Sequence, residues 1–263
     1  MKIEKIRNGT RADADDELAV EAPLEIRVNG KALTVVMRTP GPGNEDEELA
    51  RGFLYAESLV DGAADIVAIA RPPALTGDEV GNVIDVTLRP GARVPAGERL
   101  FYASSSCGVC GKNAISALRV RAPLVSSALA VSPATLAALP DRLRAAQPLF
   151  ARTGGIHASG LFDADGALEL AREDVGRHNA LDKIIGWALE RGRLPLVDRL
   201  LVVSGRVSYE IVQKAIAAGL PLIAAVGAPS TLAVELAEEF AVTLVGFVRD
   251  GGMNVYTHGD RVR

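Results

Sequence analysis

The second half of the chain repeats one pattern: a short unbroken apolar run, a small-residue turn, then apolar positions at helical spacing. The runs are Leu200–Val203, Leu222–Val226 and Val242–Val248. They are followed by Ser204-Gly205-Arg206-Val207-Ser208, Gly227-Ala228-Pro229-Ser230-Thr231 and Arg249-Asp250-Gly251-Gly252; the first two turns open helices that reach Ala218 and Phe240. Strands apolar on both sides and alternating with helices predict a parallel sheet covered on both faces. Upstream, Pro133–Phe150 carries Leu136, Leu139, Leu143 and Leu149 and reads as one helical stretch. Ile156–Phe162 and Ala167–Ala171 flank Asp163-Ala164-Asp165-Gly166, a hairpin with a glycine-ended turn. Gly176–Arg191 is a helix with Ala180, Leu181, Ile184, Ile185 and Ala188 on its apolar face.

The first half is less regular. Residues 1 to about 20 are polar and acidic and are expected to be loosely held. Pro23–Val28 and Ala32–Met37 alternate around Asn29-Gly30, a strong hairpin signal. Pro40, Gly41, Pro42 and Gly43 break the chain, and Glu45–Glu57 then reads as a helix capped by Asn44. Val83–Leu88 alternates as another strand. The fold class is therefore α/β, with a smaller mixed domain over 1–125 and an α/β domain over 126–263.

At 263 residues, 48% hydrophobic and 24% charged, the chain is an ordinary soluble composition that can bury a real core. A net charge of −4 argues against general nucleic-acid binding, which needs clustered Lys and Arg. The N-terminus has no signal-peptide core, and no stretch approaches the roughly 20 apolar residues that span a bilayer. Two cysteines, close together, offer no disulfide scaffold, so a reducing, cytoplasmic setting is expected, with no membrane and no nucleic-acid partner.

Those cysteines are the sharpest chemical feature. Ser104-Ser105-Ser106-Cys107-Gly108-Val109-Cys110-Gly111-Lys112 is built of residues that cannot pack a core. A thiol titrates near about 8.5, and a neighbouring lysine or a helix N-terminus lowers that value. Lys112 and an expected helix over Asn113–Val120 supply both influences. An accessible, partly ionised thiolate suits attack on a sulfur donor and carriage of the resulting persulfide. Two blander readings stand beside it. A zinc half-site lacks two further ligands, since His157, His178 and His258 are dispersed. A thioredoxin-like dithiol would follow a strand directly, whereas three serines precede this one.

The turns after the apolar strands form a second feature, because ligands of open α/β sheets bind at the carboxyl edge. Helix N-termini there favour phosphate, and Arg206 and Arg249 add charge-assisted donors; ordinary turns with Ser and Thr caps are the alternative. No GxGxxG or P-loop is present. A third cluster joins Thr153-Gly154-Gly155-Ile156-His157 to Glu173-Asp174-Val175-Gly176-Arg177-His178-Asn179-Ala180-Leu181-Asp182-Lys183. His157, Arg177, His178 and Asn179 are site candidates. For Asp182 and Lys183 surface pairing, such as Asp182 with Arg177 or Lys183, is the expected role.

Taken together, Ser-Ser-Cys-Gly-Val-Cys-Gly, Thr-Gly-Gly-Ile-His, the Glu173–Lys183 stretch, Gly-Phe-Val-Arg at 246–249 and Glu48-Leu49-Ala50-Arg51-Gly52-Phe53-Leu54 resemble the formate dehydrogenase accessory sulfurtransferases, the FdhD/NarQ family. The resemblance implies a sulfurtransferase that takes persulfide sulfur from a cysteine desulfurase and gives it to the bis-molybdopterin guanine dinucleotide of formate dehydrogenase. It makes Cys107 the carrier and Cys110 auxiliary, and it places the guanine dinucleotide on Phe247, Val248, Arg249, Asp250, Gly251 and Gly252. Ser204 and Arg206 join that site from the sheet-edge reading, and His178 from the third cluster. The resemblance also implies a homodimer with no catalytic metal of its own. The order of elements after residue 126 is similar to the cytidine deaminase fold, but the deaminase Glu and cysteine pair are missing from the two helix starts that would carry them. Two rivals stand beside the carrier: a cofactor chaperone with secondary thiols, and a metal-dependent hydrolase or deaminase.

Overall fold

The computed structural model describes residues 1–72, 76–92 and 123–263, and the backbone alone of 101–102. Cys107, Cys110, Lys112 and the helix expected over 113–120 lie outside the described residues.

The polar start is not loose chain. β1 (Lys2–Arg7) and β2 (Thr10–Asp15) pair antiparallel in a two-stranded sheet. Asn8 and Gly9 at its turn both have positive φ. This is the Asn-Gly chemistry of a two-residue hairpin, and its signal was present beneath a composition that suggested disorder.

A five-stranded sheet follows, in the order β5-β6-β3-β4-β7. It comprises β3 (Ala22–Val28), β4 (Lys31–Arg38), β5 (Ile66–Ala70), β6 (Val83–Leu88) and β7 (Phe101–Tyr102). Period-2 alternation puts Leu24, Ile26 and Val28 of β3 on one face, where they pack with Val36, Val86, and Leu49 and Leu54 of α1 (Glu45–Ala56). Asn44 stands at the N-cap of α1 as expected, but its side chain makes no capping bond.

α1 begins in a buried ionic knot. Arg38 donates from Nε and Nη2 to the two carboxylate oxygens of Asp46 (2.9 and 3.1 Å), and Arg71 adds a third donor at 2.6 Å. Burial alone would raise the Asp46 carboxyl, but the two guanidinium groups outweigh it and hold it below its ordinary value. A carboxyl depressed in the fold stabilises it above the unfolded pKa and loses that contribution as pH falls through the folded one. Arg71→Ala should therefore move the onset of acid unfolding, followed by circular dichroism, to higher pH. An unmoved onset would remove Arg71 from this account.

The second sheet has six strands in the order β13-β12-β11-β10-β8-β9. β8 (His157–Phe162) and β9 (Leu168–Asp174) are the expected hairpin; β10 (Leu200–Val203), β11 (Leu222–Ala225) and β12 (Thr243–Arg249) are parallel. Both faces are covered. Leu200, Val202, Leu222 and Ala224 face α2 (Pro133–Ala145), while Leu201, Val203, Ile223 and Ala225 face α4 (Arg177–Glu190), α5 (Tyr209–Ala217) and α6 (Thr231–Glu239). The fold is thus mixed α/β.

Two expectations, the single helical stretch and the parallel sheet, are corrected here. The stretch from Pro133 to Phe150 is two helices, α2 and α3 (Pro148–Thr153), because Pro148 cannot supply the N–H that one continuous helix would need and disfavours helical backbone at Gln147. The third apolar run leads into a further strand, which the sequence reading did not include. β12 turns at Asp250 and Gly251, both at positive φ, into antiparallel β13 (Gly252–Thr257), with Arg249 paired to Gly252. Asp-Gly is itself a hairpin signal. The sheet is therefore parallel only in its middle.

The two sheets meet through α1 and α4. A Cβ on Gly52 would fall inside the carbonyl of Asp182, and one on Gly186 inside the carbonyl of Glu48. The helices thus cross backbone to backbone, and only glycine fits at either position.

Candidate functional site at the carboxyl edge of the six-stranded sheet

β10, β11 and β12 run parallel, so the segments after them share one edge. Backbone bonds hold these segments together. Gly227 N–H donates to Gly205 O (3.2 Å), Val207 N–H to Ala228 O (3.1 Å), Ser230 N–H to Val207 O (3.0 Å) and Phe247 N–H to Gly227 O (3.2 Å). A side chain on Gly227 would press on Gly205 O, so the loops lie too close for any Cβ there.

Phe247 itself sits at φ 53°, in the left-handed region. For a bulky aromatic residue this is a genuine outlier, and strain of this kind collects at functional sites. It coincides with a register break between Gly246 and Arg249, which re-aims the end of β12. The Arg249 guanidinium stands 5.6 Å from the Phe247 ring centroid. Arg249, Asp250, Gly251 and Gly252 are exposed, while Val248 is fully buried on the α2 side. Arg206 is also exposed, and Ser204 is half-buried with its Oγ accepting from Ala158 N–H at 2.9 Å.

The antiparallel β8 brings its first residue, His157, to the same edge, beside Gly205 and Arg177. Burial, reinforced by Arg177 and opposed by Asp174, pushes the His157 imidazole below its ordinary value, so it is neutral at physiological pH. The Nε of Arg177 is buried without a hydrogen-bond partner among the described residues. His178 is buried at the first turn of α4, its Nε2 3.0 Å from Ser208 Oγ and 3.1 Å from Glu210 Oε2. The structure therefore gathers Ser204, Arg206, His157, Arg177, His178 and the β12–β13 turn along one rim.

The rest of the Glu173–Lys183 stretch does a different job. Glu173 accepts from the N–H groups of Leu149 and Phe150 at the start of α3. Asp174, fully buried, accepts from Thr39 N–H, Gly176 N–H and Asn179 Nδ2, and pairs with Lys183 at 2.9 Å. Asn179 is consumed in this lattice, donating also to Met37 O at 2.7 Å. Asp182 and Lys183 are not surface groups. Lys183 is fully buried and also reaches Glu45, and Asp182 pairs with Lys214 at 2.7 Å. Burial pushes the Asp182 carboxyl up to about 6. Burial alone would lower the Lys214 ammonium, but the facing Asp182 and Glu57 raise it. Sequence spacing on the helix suggested local pairs, yet the true partners lie on other elements.

Ser208 was read only as part of the turn after β10 and Glu210 was not singled out, yet both lie against His178 Nε2. The one sequence signal for Glu210 is its position four residues before Lys214, which reads as an ordinary helix surface pair. Among the described residues no cluster of His, Cys, Asp and Glu could hold a metal ion, and no helix is long and apolar enough to cross a membrane.

The structure is thus a mixed α/β protein whose strand-end rim carries two exposed arginines, helix starts and a strained aromatic. The chain belongs to the FdhD/NarQ family, whose model matches residues 19–263. It is 52% identical over 257 residues to the sulfur carrier protein FdhD of Mycobacterium tuberculosis, covering 94% of this chain and 92% of that one. With the sulfur carrier protein FdhD of Sulfolobus acidocaldarius it shares 45% over 262 residues, covering 100% and 97%. A solved structure described as a formate dehydrogenase accessory protein from Desulfotalea psychrophila superposes with a TM-score of 0.78 at 27% identity, covering 100% of this chain and 98% of that one.

Proposed function

We propose that this chain is a sulfur carrier serving formate dehydrogenase, and that Cys107 bears the sulfur. The Cys107 thiolate attacks the outer sulfur of a cysteine desulfurase's persulfide. A new S–S bond forms, the donor's bond breaks, and the donor leaves as a thiolate while Cys107 becomes a persulfide. The acceptor is the bis-molybdopterin guanine dinucleotide destined for formate dehydrogenase, bound as substrate at the rim. The observation that carries this reading is the convergence at one edge of Arg206, Arg249, the strained Phe247 and the start of α5, in a chain whose relatives are named sulfur carriers. A nucleotide diphosphate fits such an edge through N–H groups and guanidinium donors.

The part from residue 126 onward is read as cytidine-deaminase-like. Its support is the run of hairpin, helix, strand, helix, strand, helix, strand and the sheet order β9-β8-β10-β11-β12. Deaminase chemistry has no support, because α4 opens with Arg177-His178-Asn179-Ala180 and the loop before α5 holds no cysteine. The carrier is read as cytoplasmic and homodimeric.

The direct test is mass spectrometry of the full chain after incubation with a cysteine desulfurase and cysteine. Added sulfur is expected on the peptide holding Cys107. Repeated loading trials that leave that peptide unchanged would reject the carrier role.

A further inference from the structure

Of the half-buried arginines among the described residues, Arg27, Arg51, Arg172, Arg193 and Arg199 each pair with a carboxylate. Arg177 is the exception. Its guanidinium makes no hydrogen bond and no ion pair among those residues, and its Nε is buried. It is also the first residue of α4, whose N-cap, Gly176, supplies no side-chain acceptor. The helix dipole puts partial positive charge at that end, so a cation there is disfavoured. Partial desolvation without a partner adds to the cost. The nearby Asp174 does not relieve it, being committed to Lys183, Asn179 Nδ2 and the N–H groups of Thr39 and Gly176.

The His157 ring and the Arg177 Cδ flank Gly205, 3.3 and 4.0 Å from where a Cβ on that glycine would stand. A side chain there would crowd the imidazole, so glycine keeps this corner uncovered. The half-buried imidazole makes no hydrogen bond among the described residues. Neutral at physiological pH, it adds a hydrogen-bonding group without a second charge.

We propose that Arg177 is the charge anchor of an anion subsite at the β8 end of the rim, completed by the His157 imidazole and taking a phosphate oxygen. β10 and β11 separate this corner from β12 and its turn. If the rim is the nucleotide site, the occupant is a phosphate of that nucleotide, and this assignment rests on that reading. The need of Arg177 for an anion does not.

Calorimetry with inorganic pyrophosphate and with GDP, beside thermal unfolding of the full chain, tests this. Arg177→Gln should weaken pyrophosphate about tenfold or more, the loss of a charge-assisted contact. Arg177→Lys keeps the charge but not the fork and should lose only part of that. His157→Phe removes a hydrogen bond and no charge, so its factor should be smaller. In anion-free buffer Arg177→Gln should melt no lower than the parent, because the arginine has no partner to lose. Melting several degrees lower would assign Arg177 to the fold and overturn the subsite. Unchanged affinity of Arg177→Gln for both probes overturns it too. So does a parent that binds neither, a result that leaves sulfur loading of Cys107 to its own measurement. A weaker hold on GDP in Arg177→Gln identifies the occupant as the nucleotide's phosphate. A loss confined to pyrophosphate keeps the subsite and makes its occupant free phosphate.

Discussion

Cys107→Ala should abolish maturation of formate dehydrogenase, lowering its activity by roughly a hundredfold or more in a host that depends on this chain, because covalent carriage has no substitute nucleophile at that position. Cys107→Ser should do the same: a hydroxyl does not ionise near neutral pH and cannot hold a persulfide. The measurement is formate dehydrogenase activity in cells lacking the native gene and supplied with each variant. Full activity with Cys107→Ala would favour a chaperone that binds the cofactor without carrying sulfur. Cys110 bears on the same chemistry in the opposite direction. Its thiolate can attack the inner sulfur of a loaded Cys107, forming a disulfide and releasing hydrosulfide. Cys110→Ala should therefore keep the persulfide on Cys107 for longer, read by mass spectrometry at successive times after the donor is removed.

The middle of the second sheet was legible because strands buried on both faces have a distinctive sequence. Leu200, Val202, Leu201 and Val203 must all be apolar when alternate residues enter different cores. The ends were harder to read. Asp250-Gly251 served equally well as a ligand loop or as a hairpin turn, and only the partner strand decides. The Asn8-Gly9 turn sits in a polar, acidic stretch whose composition points to loose chain. Part of the rim was readable too, since the turns after parallel strands must share an edge once the strands are parallel. The division of labour within Glu173–Lys183 was not. Helical spacing gives the neighbours of Asp182 and Lys183 on α4, but not Lys214 on α5 or Glu45 on α1, which topology brings in from 32 and 138 residues away. A dense polar motif looks alike whether it binds a ligand or holds two sheets together. Here Arg177 and His178 face the rim, while Glu173, Asp174, Asn179, Asp182 and Lys183 tie elements together.

That tie should be the most fragile point of the fold. Lys183→Met is expected to destabilise the protein by about 3–5 kcal/mol, because it leaves the buried Asp174 carboxylate without its cation. A loss of that size lowers the melting temperature by on the order of 10 °C in a protein of this length. Asp174→Asn paired with Lys183→Met removes both charges together and should recover part of the loss, as expected when the cost lies in the stranded charge rather than in a missing attraction. Gly186→Val probes the same junction by volume. Its side chain would enter the carbonyl of Glu48, which no rotamer change can relieve, so α1 must move off α4. Movement of α1 also separates Glu45 from Lys183 and Glu48 from Arg172, so the steric and ionic losses should couple. Thermal unfolding of Lys183→Met, Gly186→Val and the two combined measures this. The combined loss should fall short of the sum of the single losses, since either change already opens the junction. Strict additivity would mean that the helix crossing and the lysine act independently, and that the two sheets are not held by one shared interface.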